Sequence, residues 1–256
     1  MKNLINWKLF FILLASCVAA SVLVVPYQLA LTQVKPELSP MQIVLSAIVN
    51  ALIMFAVATF LGLFFSKKVA MGLPILEGIL KKENKTKELK GILLPSVLWG
   101  ILAGVLIVIL SIPFNKMIPE FQGSPVSAPA WKGFLASFYG GIAEEVLLRL
   151  FVVSLLVWIT FKIKKSRDGS PTVFGVWLSI VLAAVLFGLG HLPATMQIVE
   201  SLNGIIVARA VVLNGAAGII FGWLYWKRGL ESAMIAHFST DIVLHVVTPL
   251  FLALSI

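Results

Sequence analysis

LFFILLASCVAASVLVVPYQLAL, residues 9–31, runs for 23 residues without Asp, Glu, Lys, Arg or His. A helix rises about 1.5 Å per residue, so roughly 20 apolar residues cross a hydrocarbon core of about 30 Å. Two readings compete for this stretch. LASC at 14–17, behind Lys2, Lys8 and an apolar run, resembles a bacterial lipoprotein processing site. The apolar run nevertheless continues through VAASVLVV, which completes a span and makes an uncleaved first helix the expectation. Six further runs long and apolar enough to span follow: Ile43 to Phe65, Ile92 to Pro113, Gly133 to Phe161, Val173 to Leu192, Ile205 to Trp226 and Leu230 to Leu254. With 60% hydrophobic and only 12% charged residues, the chain lies well outside the composition of soluble domains. The predicted fold is an all-α, polytopic bundle of about seven transmembrane helices, an integral protein of the cell membrane whose immediate partner is the lipid bilayer.

The net charge of +9 reports topology. Setting the N-terminus in the cytoplasm places Lys2, Lys8, seven lysines between Ser66 and Lys90, Lys162, Lys164, Lys165, Arg167, Lys227 and Arg228 inside, against Lys35, Lys116 and Lys132 outside. That is the asymmetry the positive-inside rule requires of seven spans, so no nucleic-acid partner is needed to explain the basicity. Cys17 is the only cysteine, which excludes an intrachain disulfide.

The chain divides by chemistry into residues 1–132 and 133–256. The first three spans hold no acidic, basic or histidine residue, and Asn50 is their most polar side chain. The Ser66–Lys90 connection sets its seven lysines around VAMGLPILEGIL. That segment reads either as a surface-lying amphipathic piece or as a solvated basic loop. The outer connection FNKMIPEFQGSPVSAPAWK, rich in Pro, Ser and Gly, reads as an irregular loop ending at an interfacial Trp131. Gly100 with Gly104, and Gly218 with Gly222, have the four-residue spacing that lets two helix backbones approach. Gly140 and Gly141 mark a place where a helix can break locally.

All intramembrane ionisable residues fall in the second part. Charged groups in a span are costly, about 2.5 to 3.5 kcal/mol each on insertion scales, so they are expected to face one another. In GGIAEEVLLRLFV (140–152), Glu145 and Arg149 stand four apart on one helix face, while Glu144 points about 100° away. An ion pair that only fixes packing accounts for Glu145 and Arg149 as well as chemistry does. Glu144 has no cation on its own face, and a desolvated carboxylate of that kind suits a general base or acid. In FGLGHLP, Phe187 lies one turn before His191 and can pack behind its ring. In HFSTD, His237 and Asp241 share a face, where a hydrogen bond would set the histidine tautomer. His245 continues that stripe toward the outer boundary and reads as a bystander. Arg209 is expected to snorkel outward, and Asn214 to act as glue between helices.

Two imidazoles and a carboxylate on separate spans can form one wet cavity that activates water, with or without a metal. EEVLLR (Glu144, Glu145, Arg149), FGLGH (Phe187, His191) and HFSTD (His237, Asp241) resemble the ordered motifs EExxxR, FxxxH and HxxxN/D of the CPBP family. This family comprises the CAAX prenyl endopeptidases of the Rce1 type and bacterial relatives linked to bacteriocin processing and self-immunity. GIIFGWLYWKRGLESAMIAHFSTD also resembles the run into the last motif, and the similarity covers roughly Gly133 to Thr248. The resemblance implies an intramembrane endopeptidase, a CAAX-type metalloprotease, cleaving a membrane-associated or lipidated peptide or protein. Carried over by position, Glu144 would activate water with His191 as partner, His237 and Asp241 would face the scissile carbonyl, and Glu145 and Arg149 would hold the fourth helix. If a divalent metal such as zinc is used, His191, His237 and Asp241 would be its ligands. Prenyl-protein members carry asparagine where this chain has Asp241, so Asp241 must be protonated, orient His237, or bind metal.

Depth is the difficulty. His191 falls near the outer end of its span and His237 only about 9 Å from the inner end of its own, so straight helices would hold the rings apart. Tilted or broken spans around a conical cavity would bring them together. Two other functions stay open: a non-catalytic membrane regulator or immunity factor on the same fold, and a proton-coupled transporter, disfavoured by a first half without polar residues.

Overall fold

Seven helices are long and apolar enough to cross a membrane: α1 (Trp7–Leu31), α2 (Pro40–Lys68), α4 (Thr86–Met117), α5 (Ala130–Ile163), α6 (Val173–Thr195), α7 (Gly204–Arg228) and α8 (Leu230–Phe251). A short α3 (Pro74–Leu80) lies between α2 and α4. The computed structural model describes residues 5–31, 37–121, 128–199 and 201–254, with side chains as far as 251, and contains no strand among them. Lys2, Lys35 and part of the outer loop, 122–127, lie outside the described residues. The chain is a multi-pass integral membrane protein. The helices overrun the predicted apolar runs by up to six residues, because backbone hydrogen bonding continues into the headgroup region where polar side chains are solvated.

Local chemistry sets the ends. Asn6, Ser39, Thr172 and Asn203 cap α1, α2, α6 and α7 by accepting from backbone N–H groups in the first turn. Ser39 and Gln42 form a reciprocal capping box. Helix α1 is interrupted at Val24, where Pro26 supplies no N–H and its ring crowds the preceding turn. Gly229, at φ +92°, makes the sharp α7–α8 corner, and a Cβ there would run into the Pro74 ring.

The Ser66–Lys90 connection is not a bare solvated loop. Ile75 and Gly78 of α3 are buried, and Glu231 Oε1 accepts from Ile75 N (3.0 Å) and Leu76 N (2.8 Å), capping α3 from the start of α8. Leu230 N donates to Gly72 O at 2.9 Å, so α8 begins beneath this segment.

Glycines let the spans touch. A Cβ on Gly100 or Gly104 would meet Ala236 or Val243 of α8, and one on Gly218 or Gly222 would meet Ala184 or Ile180 of α6. Ser96 with Ser232 (2.6 Å) and Ser154 with Tyr225 (2.7 Å) add hydrogen bonds between helices. Asn214 does not glue helices, since its amide donates to Ala210 O one turn back in its own helix. Arg209 lies outward over the Phe121 ring and donates to Asn115. One hydrophobic core joins both chemical parts of the chain, with Leu9, Phe55 and Ala58 packed among Val146, Leu150 and Phe221.

Candidate active site

The backbone of α5 departs from α-helical geometry where the acidic pair sits. Over Tyr139–Glu144 and again over Val146–Val153 the turns widen to the π form, with bonds closing five residues back. The Gly140–Gly141 pair therefore widens the helix without breaking it. Such turns recur at functional sites, because they re-aim side chains that a regular helix would fan apart. Gly140 abuts α8 so closely that a Cβ would overlap Asp241 Oδ2 and reach the ring of His237.

Glu145 and Arg149 are both buried, with Glu145 Oε1 2.9 Å from Arg149 Nη1. The N–H does not line up with the oxygen, so this is an ion pair more than a directed hydrogen bond. The guanidinium lies over Phe187 (4.8 Å) and Phe221 (5.2 Å), where ring faces favour a cation. Its Nη2 donates to Gly218 O at 3.4 Å.

The same Glu145 Oε1 lies 2.7 Å from His237 Nδ1. His237 is stacked on Phe221 at 4.5 Å and 22°, with the Phe187 edge against it at 5.7 Å. This corrects the expectation that Asp241 orients His237: Asp241 Oδ1 is 3.7 Å from His237 Nε2, too long for a direct hydrogen bond. Glu144 Oε2 stands 3.6 Å from the same nitrogen. Glu144 thus has an imidazole neighbour, contributed by α8, that its own helix does not offer.

His191 caps the C-terminal end of the regular part of α6, and its Nδ1 is 2.8 Å from Phe187 O. A carbonyl only accepts, so Nδ1 carries the proton and Nε2 presents a lone pair. The Phe187 ring meets the His191 ring edge-on at 4.7 Å, so both imidazoles share one phenylalanine. The predicted separation in depth is removed: the His191 and His237 rings lie 4.7 and 5.7 Å from the same Phe187 ring.

Near Asp241 one residue, Tyr27, escaped the sequence reading, and another, His245, was there read as a bystander. His245 Nε2 is 3.9 Å from Asp241 Oδ1, and Tyr27 Oη is 2.8 Å from His245 Nδ1. The stripe of four-residue spacing pointed to His245, whereas nothing local marks Tyr27, which is 218 positions away in the chain. Among the described residues, no group of three His, Cys, Asp or Glu side chains is arranged to hold a metal ion. His191, His237 and Asp241 do not assemble that ligand set.

Residues 126–243 match the model of the type II CAAX prenyl endopeptidase Rce1-like family. This segment is Rce1-like. It contains Glu144, Glu145, Arg149, His191, His237 and Asp241, and excludes Tyr27 and His245. No solved structure matches the chain significantly. The Rce1-like segment points to a CAAX intramembrane protease type of function, and the pairing of Glu144 with His237 lies within it.

Proposed function

We propose that this protein is a CAAX-type intramembrane endopeptidase that hydrolyses a peptide bond of a membrane-associated or lipidated peptide with a water activated by Glu144. The observation that carries the reading is the convergence of Glu144, Asp241 and His237 Nε2 within 3.6–3.7 Å, while His237 Nδ1 is committed to Glu145. Glu145 faces Arg149 and acts as an acceptor, so His237 keeps its proton on Nδ1 and uses Nε2 for chemistry. Separations just beyond hydrogen-bond length suit a bridging water or substrate oxygen and tighten in the reacting complex.

In this mechanism the Glu144 carboxylate takes a proton from water, oriented by the His191 Nε2 lone pair. The hydroxide forms its bond to the carbonyl carbon, and the π electron pair moves to oxygen. In the imidazolium form, faced by Glu144 and Asp241, His237 carries a second proton on Nε2, and that N–H donates to the oxyanion. Collapse expels the amine, which leaves with the proton held by Glu144; the carboxylate is regenerated and the His237 Nε2 proton stays in place.

The test is cleavage of a fluorogenic peptide bearing a farnesylated cysteine by the protein reconstituted in liposomes. Glu144→Gln and His191→Ala are expected to lower kcat by about 10²- to 10⁴-fold while inserting normally. Undiminished cleavage in both would remove the assignment. Full complementation in cells by Glu144→Gln would instead favour the non-catalytic regulator.

A further inference from the structure

Asp241 Oδ1 stands between two imidazole nitrogens, His237 Nε2 at 3.7 Å and His245 Nε2 at 3.9 Å, while Oδ2 lies over Gly140. The far imidazole is itself held: Tyr27, from α1 beyond its break at Val24, bonds His245 Nδ1 at 2.8 Å with the rings 5.1 Å apart. We propose that Tyr27 and His245 are positioning residues for this site: the Tyr27 hydroxyl donates to His245 Nδ1, so the imidazole proton sits on Nε2 and faces Asp241.

The direction follows from the inventory of donors. A neutral imidazole has one N–H, and a tyrosine hydroxyl can either donate or accept. With the proton on Nδ1, the Nε2 lone pair would oppose the lone pairs of Asp241 Oδ1. With Tyr27 donating, an N–H points at that oxygen. The carboxyl then has an N–H directed at it from His245, on the side away from the reacting centre, across 3.9 Å that a bridging water or closure in the reacting complex spans. This extends the Glu145–His237 pairing into a line across three spans, from Arg149 on α5 through His237, Asp241 and His245 on α8 to Tyr27 on α1. Outer partners of this kind, which orient a residue that touches substrate, typically change activity by 10- to 100-fold in metal sites, and the same orienting logic applies to a carboxyl held by imidazoles. The Rce1-like match ends at residue 243, so neither Tyr27 nor His245 belongs to the part of the chain it describes.

The kinetic half of the inference rests on the endopeptidase reading, and the tautomer half does not. The chain has three histidines, so ¹⁵N-histidine labelling in lipid nanodiscs gives three imidazoles, assigned by single substitutions. His245 is expected as the Nε2–H tautomer, and Tyr27→Phe is expected to shift its ring nitrogens toward a mixture while those of His191 stay in place. A His245 that carries its proton on Nδ1, is doubly protonated, or does not respond to Tyr27→Phe overturns the inference. With the farnesylated peptide, Tyr27→Phe and His245→Gln should each lower kcat by about 10-fold with KM within about two-fold, and together cost no more than either alone. Equal turnover in these variants overturns the kinetic role. If the wild type cleaves nothing, the endopeptidase reading fails and the tautomer measurement still decides the pairing.

Discussion

Glu144 and Glu145 are neighbours in the chain with opposite surroundings. The Glu145 side chain is 0% exposed, between Arg149 and His237, while that of Glu144 keeps 21% exposure and stands 3.6 Å from His237 Nε2. Removing the charge of Glu145 leaves the Arg149 guanidinium buried without a counter-charge, the situation in which breaking a buried pair costs about 3 to 5 kcal/mol. Glu145→Gln is therefore expected to lower the unfolding midpoint sharply in mixed micelles, and Glu144→Gln to change stability by no more than about 0.5 kcal/mol. Equal losses would mean that the two carboxylates do not divide structure from chemistry. The difference in surroundings was legible in the sequence, because Glu145 and Arg149 stand four apart and Glu144 does not. The bond from Glu145 to His237 was not: it joins positions 92 apart, and helix periodicity is silent about which partner another span presents. The same holds for Phe221, whose ring serves both His237 and Arg149.

At the scale of an element, α5 shows what a glycine pair can and cannot announce. Gly140 and Gly141 marked the place of an irregularity, but a wide turn differs from a break only in where each N–H finds its carbonyl, which no spacing of side chains reveals. The outcome depends on close contact: a methyl at 140 would overlap Asp241 and touch His237. Alanine is the better helix former by about 1 kcal/mol, so loss of function in Gly140→Ala cannot come from helix propensity. The expected result is a folded, inserted protein whose turnover falls by about 10²-fold, the scale associated with misplacing a reacting group by 1 Å. Gly91→Ala on α4 is the control, since a Cβ there meets nothing within 4 Å, and it should keep full activity. Wild-type turnover in Gly140→Ala would show that α8 can shift away without consequence, and that the Gly140 contact does not set the site.

For the whole molecule, the division at residue 132 separates chemistry but not packing. Core residues come from both sides of it, and the first part, without acidic or basic residues in its apolar runs, still sends Tyr27 to the Asp241 surroundings. Span number and approximate ends were readable because the hydrocarbon thickness sets a length that composition must meet. The docking of the start of α8 on the α3 segment was not, because it depends on contacts between residues more than 150 positions apart. Orientation across the bilayer rests on charge alone, and it yields a separate expectation. If the N-terminus faces the cytoplasm, the lysine-rich connection around Asn84 lies inside and the connection around Glu120 outside. Cys17 is buried and is the only cysteine, so a Cys17→Ala background carries no competing thiol. In that background, a membrane-impermeant maleimide added to intact cells should label Glu120→Cys and not Asn84→Cys, and both should react once the membrane is permeabilised. The reverse pattern would invert the molecule, placing the Tyr27 end of α1 and the His191 end of α6 toward the cytoplasm, and would move the side from which a substrate reaches Glu144.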